Sequence, residues 1–457
     1  MMHDPPEASI PSPASASAVP ETLDVAVIGA GGAGLLAGIA AARAGARTVV
    51  FERMKRPGKK VAISGGGRCN FTNTLDPRRF IRLFGDPNAV HLGHALRAFS
   101  RDDLVELLGR HGIEGEVERG YRLYTKSGKG FEVVEAFERE LSSAGGSLRL
   151  QARILSIRPA GRIQEMEVEE VGAVRRIGAR AIVVATGGLS YPATGSSGDG
   201  YAWARSLGHA ITALRPALVG LAVEEDWPRK LQGLAWEDAE VTLRPAPPPI
   251  GGPPAPGQQQ PPQPAPKTLC TERAEILFTH FGISGPAILD VSNAFVRSGL
   301  SRAVLTIDFL PDQDREALDG LLLERFRNHP NRTAANALEG LLPGRLLDWM
   351  ESTLGEGAGT PVCRLSRAAR QDLLDRMQAT ALTIQGTRGI EYGEVTAGGI
   401  VWDGIEPATM ESRRAPGIFF AGEILDVTGR CGGFNLQAAF STGWLAGCSA
   451  AGYALRA

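Results

Sequence analysis

No two of the five cysteines (Cys69, Cys270, Cys363, Cys431 and Cys448) stand as C-x-x-C, and their number is odd. That usage argues against a disulfide scaffold or a zinc ribbon and fits free thiols in a reducing compartment. His91 and His94 can share a helix face, but no nearby cysteine or acid completes a ligand set, so no metal is expected. Charge of one sign is lacking too: the formal net charge is −1, which gives no global electrostatic case for nucleic acid or an anionic membrane. No apolar run reaches the roughly 18 to 20 residues that span a bilayer. Residues 1–20, rich in Pro, Ala and Ser, have neither a basic start nor an apolar centre and read as a disordered tail, not a signal peptide. The expectation is a soluble, cytoplasmic protein without a membrane partner. No repeat of 20–50 residues, no G-x-x-x-x-G-K-[ST] and no G-x-S-x-G is found, so a solenoid, a P-loop and a serine-hydrolase elbow are all unsupported.

What the chain does have is apolar residues and glycine. A hydrophobic fraction of 43% over 457 residues is ample for packed cores, and the length suggests about two to four domains. Leu23 to Ile28 reads as a buried strand, Leu35 to Ala44 as a helix stopped by Gly45, and Thr48 to Phe51 as a second strand. Between the first strand and the helix lies Gly29-x-Gly31-x-x-Gly34. Gly29 suits a tight turn, Gly31 a close approach of backbone to a pyrophosphate, and Gly34 close helix–strand packing, with Gly32 and Ala33 opening the helix. The pyrophosphate would sit on backbone N–H groups at the helix start. Glu52, at the end of the second strand and followed by Arg53, is placed to accept hydrogen bonds from ribose hydroxyls and would repel a 2′-phosphate.

Three further stretches carry chemistry. Ile63-Ser64-Gly65-Gly66-Gly67-Arg68-Cys69-Asn70, preceded by Lys59-Lys60, makes a backbone nest suited to phosphate and flavin-ring contacts. A buried strand then enters Ala185-Thr186-Gly187-Gly188, followed by Tyr191 and a glycine-rich run to Gly200. The third is Gly422-Glu423 with Asp426, then Gly432-Gly433-Phe434-Asn435 opening an apolar helix over Asn435 to Ala450. Its acid suits flexible-chain hydroxyls, and its helix start stabilises the negative charge of a reduced flavin. NAD has no need of that last site, so the cofactor expected is FAD.

In outline, helical spacing marks Arg97 to Gly112 and Gly130 to Ala144, with a hairpin over Glu116 to Tyr124 between them. The fold class expected is α/β, a Rossmann-type domain with an inserted β-rich domain, an antiparallel sheet or barrel, carrying a helical insertion. The tail at 1–20 precedes a first cofactor part at 21–214 and β-rich segments at 215–311 and 379–396 around helices at 312–378. A second cofactor part fills 397–457. Residues 245–266 form a Pro/Gly/Gln tract unable to build a core, expected as an extended loop.

The stretches VAVIGAGGAG, ISGGGRCNFTN, ATGGLSYPATGSSGDG, LFTHFGISGPAIL and FFAGEILDVTGRCGGFNLQAAFSTGWLAG together resemble the BaiN-like bacterial NAD(P)/FAD-dependent oxidoreductases, of the glutathione-reductase-like flavoprotein superfamily. The resemblance runs from about Asp24 to Gly447. It implies noncovalent FAD in a domain formed from both chain ends. It places Gly29, Gly31, Gly34 and Glu52 on pyrophosphate and ribose. Lys60, Gly66, Arg68 and Asn70 fall on the ring side, and Gly188, Gly422, Glu423 and Gly433 on the remaining wall. It also implies reduction of a C=C bond, with NADH or NADPH as donor and either a small steroid-like enone or a uridine of ribosomal RNA as acceptor. Oxidation of a small amine or amino ketone, and a flavin carrier without catalysis, stand as alternatives. For the proton donor or orienting group, His280, Tyr191, Cys69 and Cys431 are weighed, with His280 favoured because its ordinary pKa suits proton transfer. Arg78, Arg79 and Arg82 add a basic cluster to Lys59, Lys60, Arg68 and Arg430 that would suit RNA.

Overall fold

The computed structural model describes residues 21–246, 267–355 and 359–456. The tail at 1–20 and the Pro-rich tract from 247 onward to 266 lie outside them.

Among the described residues, a nine-stranded sheet takes strands from both ends of the chain. Its parallel core runs Ile418–Phe420, Ala173–Val184, Glu21–Ile28, Thr48–Glu52, Ser147–Leu150. Val25 to Ile28, Thr48 to Phe51, Ala181 to Val184 and Ile418 to Phe420 are near-continuous apolar runs, as strands covered on both faces require, while the edge strand Ser147–Leu150 is partly exposed. Val25, Val27, Val183 and Phe420 are fully buried. An antiparallel meander, Ala152–Ala160 with Ile163–Glu170, folds back onto Ala173–Val184.

Two helices pack against each other over this sheet, Gly32–Arg43 and the long C-terminal Phe434–Arg456. Small residues four apart allow it: a Cβ at Gly443 would overlap the carbonyl oxygen of Ala33, and one at Gly447 that of Ala37. The two chain ends are thereby joined backbone to backbone.

A closed six-stranded antiparallel barrel occupies the middle of the chain, formed by Leu221–Val223, Gly282–Ser284, Cys270–Thr279, Ala235–Pro245, Ala303–Asp308 and Thr380–Thr387. Between its last two strands in sequence come the helices Arg315–Asn328, Ala334–Ala337, Gly344–Ser352 and Arg367–Gln378. They share the barrel's apolar core, and Trp349 stacks on Trp227 at 3.8 Å. The chain leaves and re-enters the cofactor-binding part through a paired seam, Arg215–Ala217 antiparallel to Val395–Ala397.

Local expectations shift in two places. The helix read over Arg97 to Gly112 is two, Gly93–Ala98 and Arg101–Gly109, because Ser100 forms a capping box with Asp103 and starts a new helix. The C-terminal helix runs to Arg456, further than read, and passes through Gly452 without stopping. No helix among the described residues is long and apolar enough to cross a membrane.

Candidate active site

The glycine loop closes as its spacing demands. A Cβ at Gly34 would overlap the carbonyl oxygen of Gly29, while Gly29 takes φ +98°, a region that disfavours side chains. The helix that follows has no side-chain cap at Gly31, so its first N–H groups face outward. Glu52 braces the loop: one carboxylate oxygen accepts the Ala30 N–H and the other the Met54 N–H, both at 2.8 Å. Each oxygen keeps a lone pair, and Glu52 lines the cavity in front of the loop. Arg53 reaches sideways to Asp199 at 3.3 Å.

That cavity, about 800 Å³, runs from this loop across the glycine-rich floor to the barrel seam. At the nest, Gly65, Gly66 and Gly67 have φ of +56°, +70° and +88°. Three successive left-handed residues turn the chain so that Gly66 opens on free space. Arg68 extends to Glu118 at 2.5 Å and lies over the Tyr124 ring at 4.2 Å. Asn70 donates to the Leu123 carbonyl at 3.1 Å and joins the nest to the hairpin of Gly115–Val117 and Arg122–Thr125.

Across the floor stands a polar clamp. Lys60 Nζ donates to Ser190 Oγ at 2.8 Å and to Glu423 Oε2 at 2.9 Å. Glu423 Oε1 also accepts Ser190 Oγ–H at 2.9 Å and the Thr396 N–H at 2.8 Å. The Thr396 hydroxyl accepts the N–H groups of Leu189 and Ser190. The carboxylate read as a ligand for flexible-chain hydroxyls is thus largely committed to joining segments far apart in sequence. Thr186 keeps a buried hydroxyl without a partner among the described residues, on the same wall. An uncapped helix start, an open glycine nest and an orphaned hydroxyl around one elongated cavity fit an anionic dinucleotide.

Of the residues read as cofactor contacts, Gly29, Gly31, Gly32, Ala33, Glu52, Arg53, Lys60, Gly66, Arg68, Asn70, Thr186, Gly187, Gly422, Glu423, Gly433 and Asn435 all line the cavity. Gly34, Gly67, Gly188 and Phe434 stand behind the wall. A Cβ at Gly188 would strike Thr396 and Glu423, and the Phe434 ring packs on Phe80 at 4.9 Å.

The proton-donor candidates are dispersed. His280 is one of two residues in the tight turn joining Cys270–Thr279 to Gly282–Ser284, exposed and off the cavity with its ring against Phe281. Hairpin geometry, invisible in the motif, carries it away. Cys69 is fully buried and off the cavity, and burial pushes its thiol up to about 12. Tyr191 lines the mouth, partly exposed and held at φ +50°. Cys431 lines the cavity with its thiol pushed up by burial, so thiolate chemistry is disfavoured.

The barrel-side end joins residues of two of the quoted stretches to Arg122, Leu218, Glu275 and Glu394, which no motif marked. Leu218, Leu277, Pro286 and Leu289 form an apolar wall, with Glu275, Glu394, Arg122, Arg430 and Cys431 among them. Arg430 pairs with Glu272 and lies 3.5 Å from Asp290, which also accepts the Cys431 N–H at 2.6 Å. Burial pushes Glu272 up to about 7 and Asp290 up to about 6, with Arg430 opposing both. Leu218 holds φ +48°, a strained conformation pinned by Asn293 accepting its N–H at 3.2 Å. A lone acid at Glu394, beside the buried Val395-Thr396-Ala397, was the available signal for this wall. Among the described residues no cluster of His, Cys, Asp and Glu is arranged to hold a metal ion.

The family model described as "HI0933-like protein Rossmann domain" matches residues 23–449. The chain belongs to the HI0933-like family. The ribosomal RNA dihydrouridine synthase of Escherichia coli K12 is 30% identical over 425 residues, covering 93% of this chain and 97% of that one. The 3-dehydro-bile acid delta(4,6)-reductase of Clostridium scindens is 30% identical over 438 residues, covering 93% and 98%. Among solved structures, a flavocytochrome c3 fumarate reductase in its open conformation aligns with TM-score 0.51 at 16% identity, over 95% of this chain and 79% of that one, which shows a shared fold. Family membership makes this protein an FAD-dependent oxidoreductase, and the cavity in front of the glycine loop has a lining that fits the cofactor.

Proposed function

We propose that this flavoprotein reduces a C=C bond conjugated to a carbonyl, with NADH or NADPH as the electron source, in the cytoplasm. The observation that carries this reading is the second half of the cavity. Beyond the cofactor loops it continues to an apolar wall (Leu218, Leu277, Leu289) set with ionisable groups, a suitable bed for a flat, partly polar acceptor. Bound FAD supplies hydride transfer. The chain's own residues bind the acceptor, keep water off its reacting face and hold the proton that completes the reduction.

The two relatives above are named for reactions on a ribosomal uridine and on a bile-acid alkene. Both are electron-poor double bonds, and one chemistry serves both. Arg56 and Lys59 line the cavity with no carboxylate within ion-pair distance among the described residues, and they favour an anionic acceptor, which includes RNA and acidic steroids alike. Arg79, exposed over Tyr121 at 5.3 Å, lies on a neighbouring face and extends that basic character. Oxidation of a small amine finds less support, because the apolar wall carries cations beside its acids.

Anaerobic reduction of the holoprotein by NADH or NADPH, followed by either a 4-en-3-one steroid or ribosomal RNA, tests this. Reoxidation of the flavin with a saturated product is expected. A reduced flavin that neither alkene reoxidises would overturn the reading.

A further inference from the structure

We propose that Glu394 is the acid that delivers the proton to the alkene carbon, a role that rests on the reductase reading above. Three independent features place it there. First, it stands at the seam between the two halves of the molecule. Its N–H donates to the Leu218 carbonyl at 3.1 Å and extends the pairing of Val395–Ala397 with Arg215–Ala217 by one residue. Glu394 lines the cavity together with Thr396, whose hydroxyl and N–H hold the cofactor wall through Leu189, Ser190 and Glu423.

Second, its exposed surface belongs to the cavity. The side chain is exposed, yet the chain is dense around it and burial is the leading cause of its raised pKa. Both hold because Glu394 lines the cavity and its accessible surface opens into that space.

Third, its carboxyl is free. Among the described residues no cation stands within ion-pair distance of it. The other carboxylates on the cofactor side are committed: Glu52 to two backbone N–H groups and Glu423 to Lys60, Ser190 and Thr396. Both are tied up in bracing the cofactor wall and are not free to turn toward an acceptor.

The groups facing Glu394 from the packed elements act in opposite senses, with burial the larger influence. Asp290 from Pro286–Ser298 favours the protonated form, and Lys60 from Lys59–Ile63 opposes it. Cys431, in the loop before the C-terminal helix, is close enough to feel the Glu394 charge, while Glu275 lines the same cavity from the barrel strand Cys270–Thr279. Arg122, whose Nε donates to the Arg119 carbonyl at 2.9 Å, has no carboxylate within ion-pair distance among the described residues and lines the cavity. It is placed to hold the acceptor's carbonyl oxygen.

The step balances as follows. Hydride, its two electrons drawn from a dihydronicotinamide, adds to the alkene carbon remote from the carbonyl. The C=C electron pair moves onto the carbonyl oxygen as an enolate. The Glu394 O–H bond then breaks and a C–H bond forms at the carbon next to the carbonyl. Glu394 is left as a carboxylate and regains its proton from water once product departs.

Glu394→Gln in the FAD-loaded protein tests this. Reduction by the nicotinamide should proceed at the wild-type rate, and reoxidation by the 4-en-3-one steroid or ribosomal RNA should slow by about 10²-fold or more, the usual worth of a positioned acid. Glu394→Asp should recover part of that loss. Wild-type reoxidation in Glu394→Gln overturns the assignment. If the wild-type protein is reduced but reoxidised by neither alkene, the reductase reading fails, and an infrared pH titration decides Glu394 separately. A carboxylic C=O stretch that persists above the ordinary carboxylate range and vanishes in Glu394→Gln sustains a held proton there. Its absence in the wild type overturns it.

Discussion

The cofactor end and the barrel end of the cavity are built by opposite means. At the first, backbone does most of the work: Gly29 turns, Gly34 lets helix meet strand, and the uncapped helix from Gly32 presents N–H groups. At the second, side chains from five separated stretches converge: Arg122, Leu218, the segment from Glu272 to Leu289, Glu394, and Arg430 with Cys431. Backbone sites need particular residues at fixed local spacing and leave a contiguous motif. Side-chain sites need only that distant segments meet, and no local spacing records it.

Substitutions should separate the two ends. The largest effect is expected at Gly34→Val, where the new side chain has no space against the Gly29 carbonyl. Such a clash belongs among the severe single changes, on the order of 4 kcal/mol or more. Thermal unfolding and flavin content should fall together; a normal melt with full FAD would mean that close packing is not what this glycine provides. A smaller and more selective loss is expected at Glu52→Ala. Two N–H groups lose their acceptor, worth about 1–3 kcal/mol each when left unsatisfied. FAD retention through dialysis should drop about tenfold or more while the apoprotein stays folded, and unchanged retention would remove Glu52 from the cofactor site.

The smallest effect lies at the barrel end and is one of pH. Glu272 and Asp290 bind a proton more tightly folded than unfolded, at about 7 and about 6. Their stabilising contribution is therefore full below the ordinary carboxyl range near 4 and is lost as pH rises through 7. Urea unfolding at pH 4.5 and pH 8 should differ by on the order of 1–3 kcal/mol from this pair, and Glu272→Gln with Asp290→Asn should flatten that difference. An unchanged slope in the double variant would show that Arg430 already neutralises them.

The contrast also accounts for what the sequence disclosed. The βαβ opening was legible because strand, glycine turn, helix and terminal acid follow one another within Leu23 to Glu52. The inserted domain was legible from the residues as an antiparallel sheet or barrel, and its closure was not, since strands such as Leu221–Val223 and Thr380–Thr387 pair across most of the inserted region. His280 attracted attention as a histidine inside a motif, but the motif's job is geometric: Gly285 sits with φ +96° against the strand Cys270–Thr279 and starts the helix that brings Asp290 and Leu289 to the seam. Glu394 escaped notice because one acid beside a short apolar strand has no pattern around it. The commitment of Glu423 to Lys60, Ser190 and Thr396 was likewise illegible, as its partners lie up to 363 positions away.

The central claim is that one cavity carries electrons from a nicotinamide to an activated alkene, and an anaerobic spectral titration tests it most directly. The visible flavin bands of the purified protein should bleach with NADH or NADPH and return on adding a 4-en-3-one steroid or ribosomal RNA, with saturated product formed. A protein that holds no flavin and takes none up, or whose reduced flavin is untouched by both alkenes, would contradict the account.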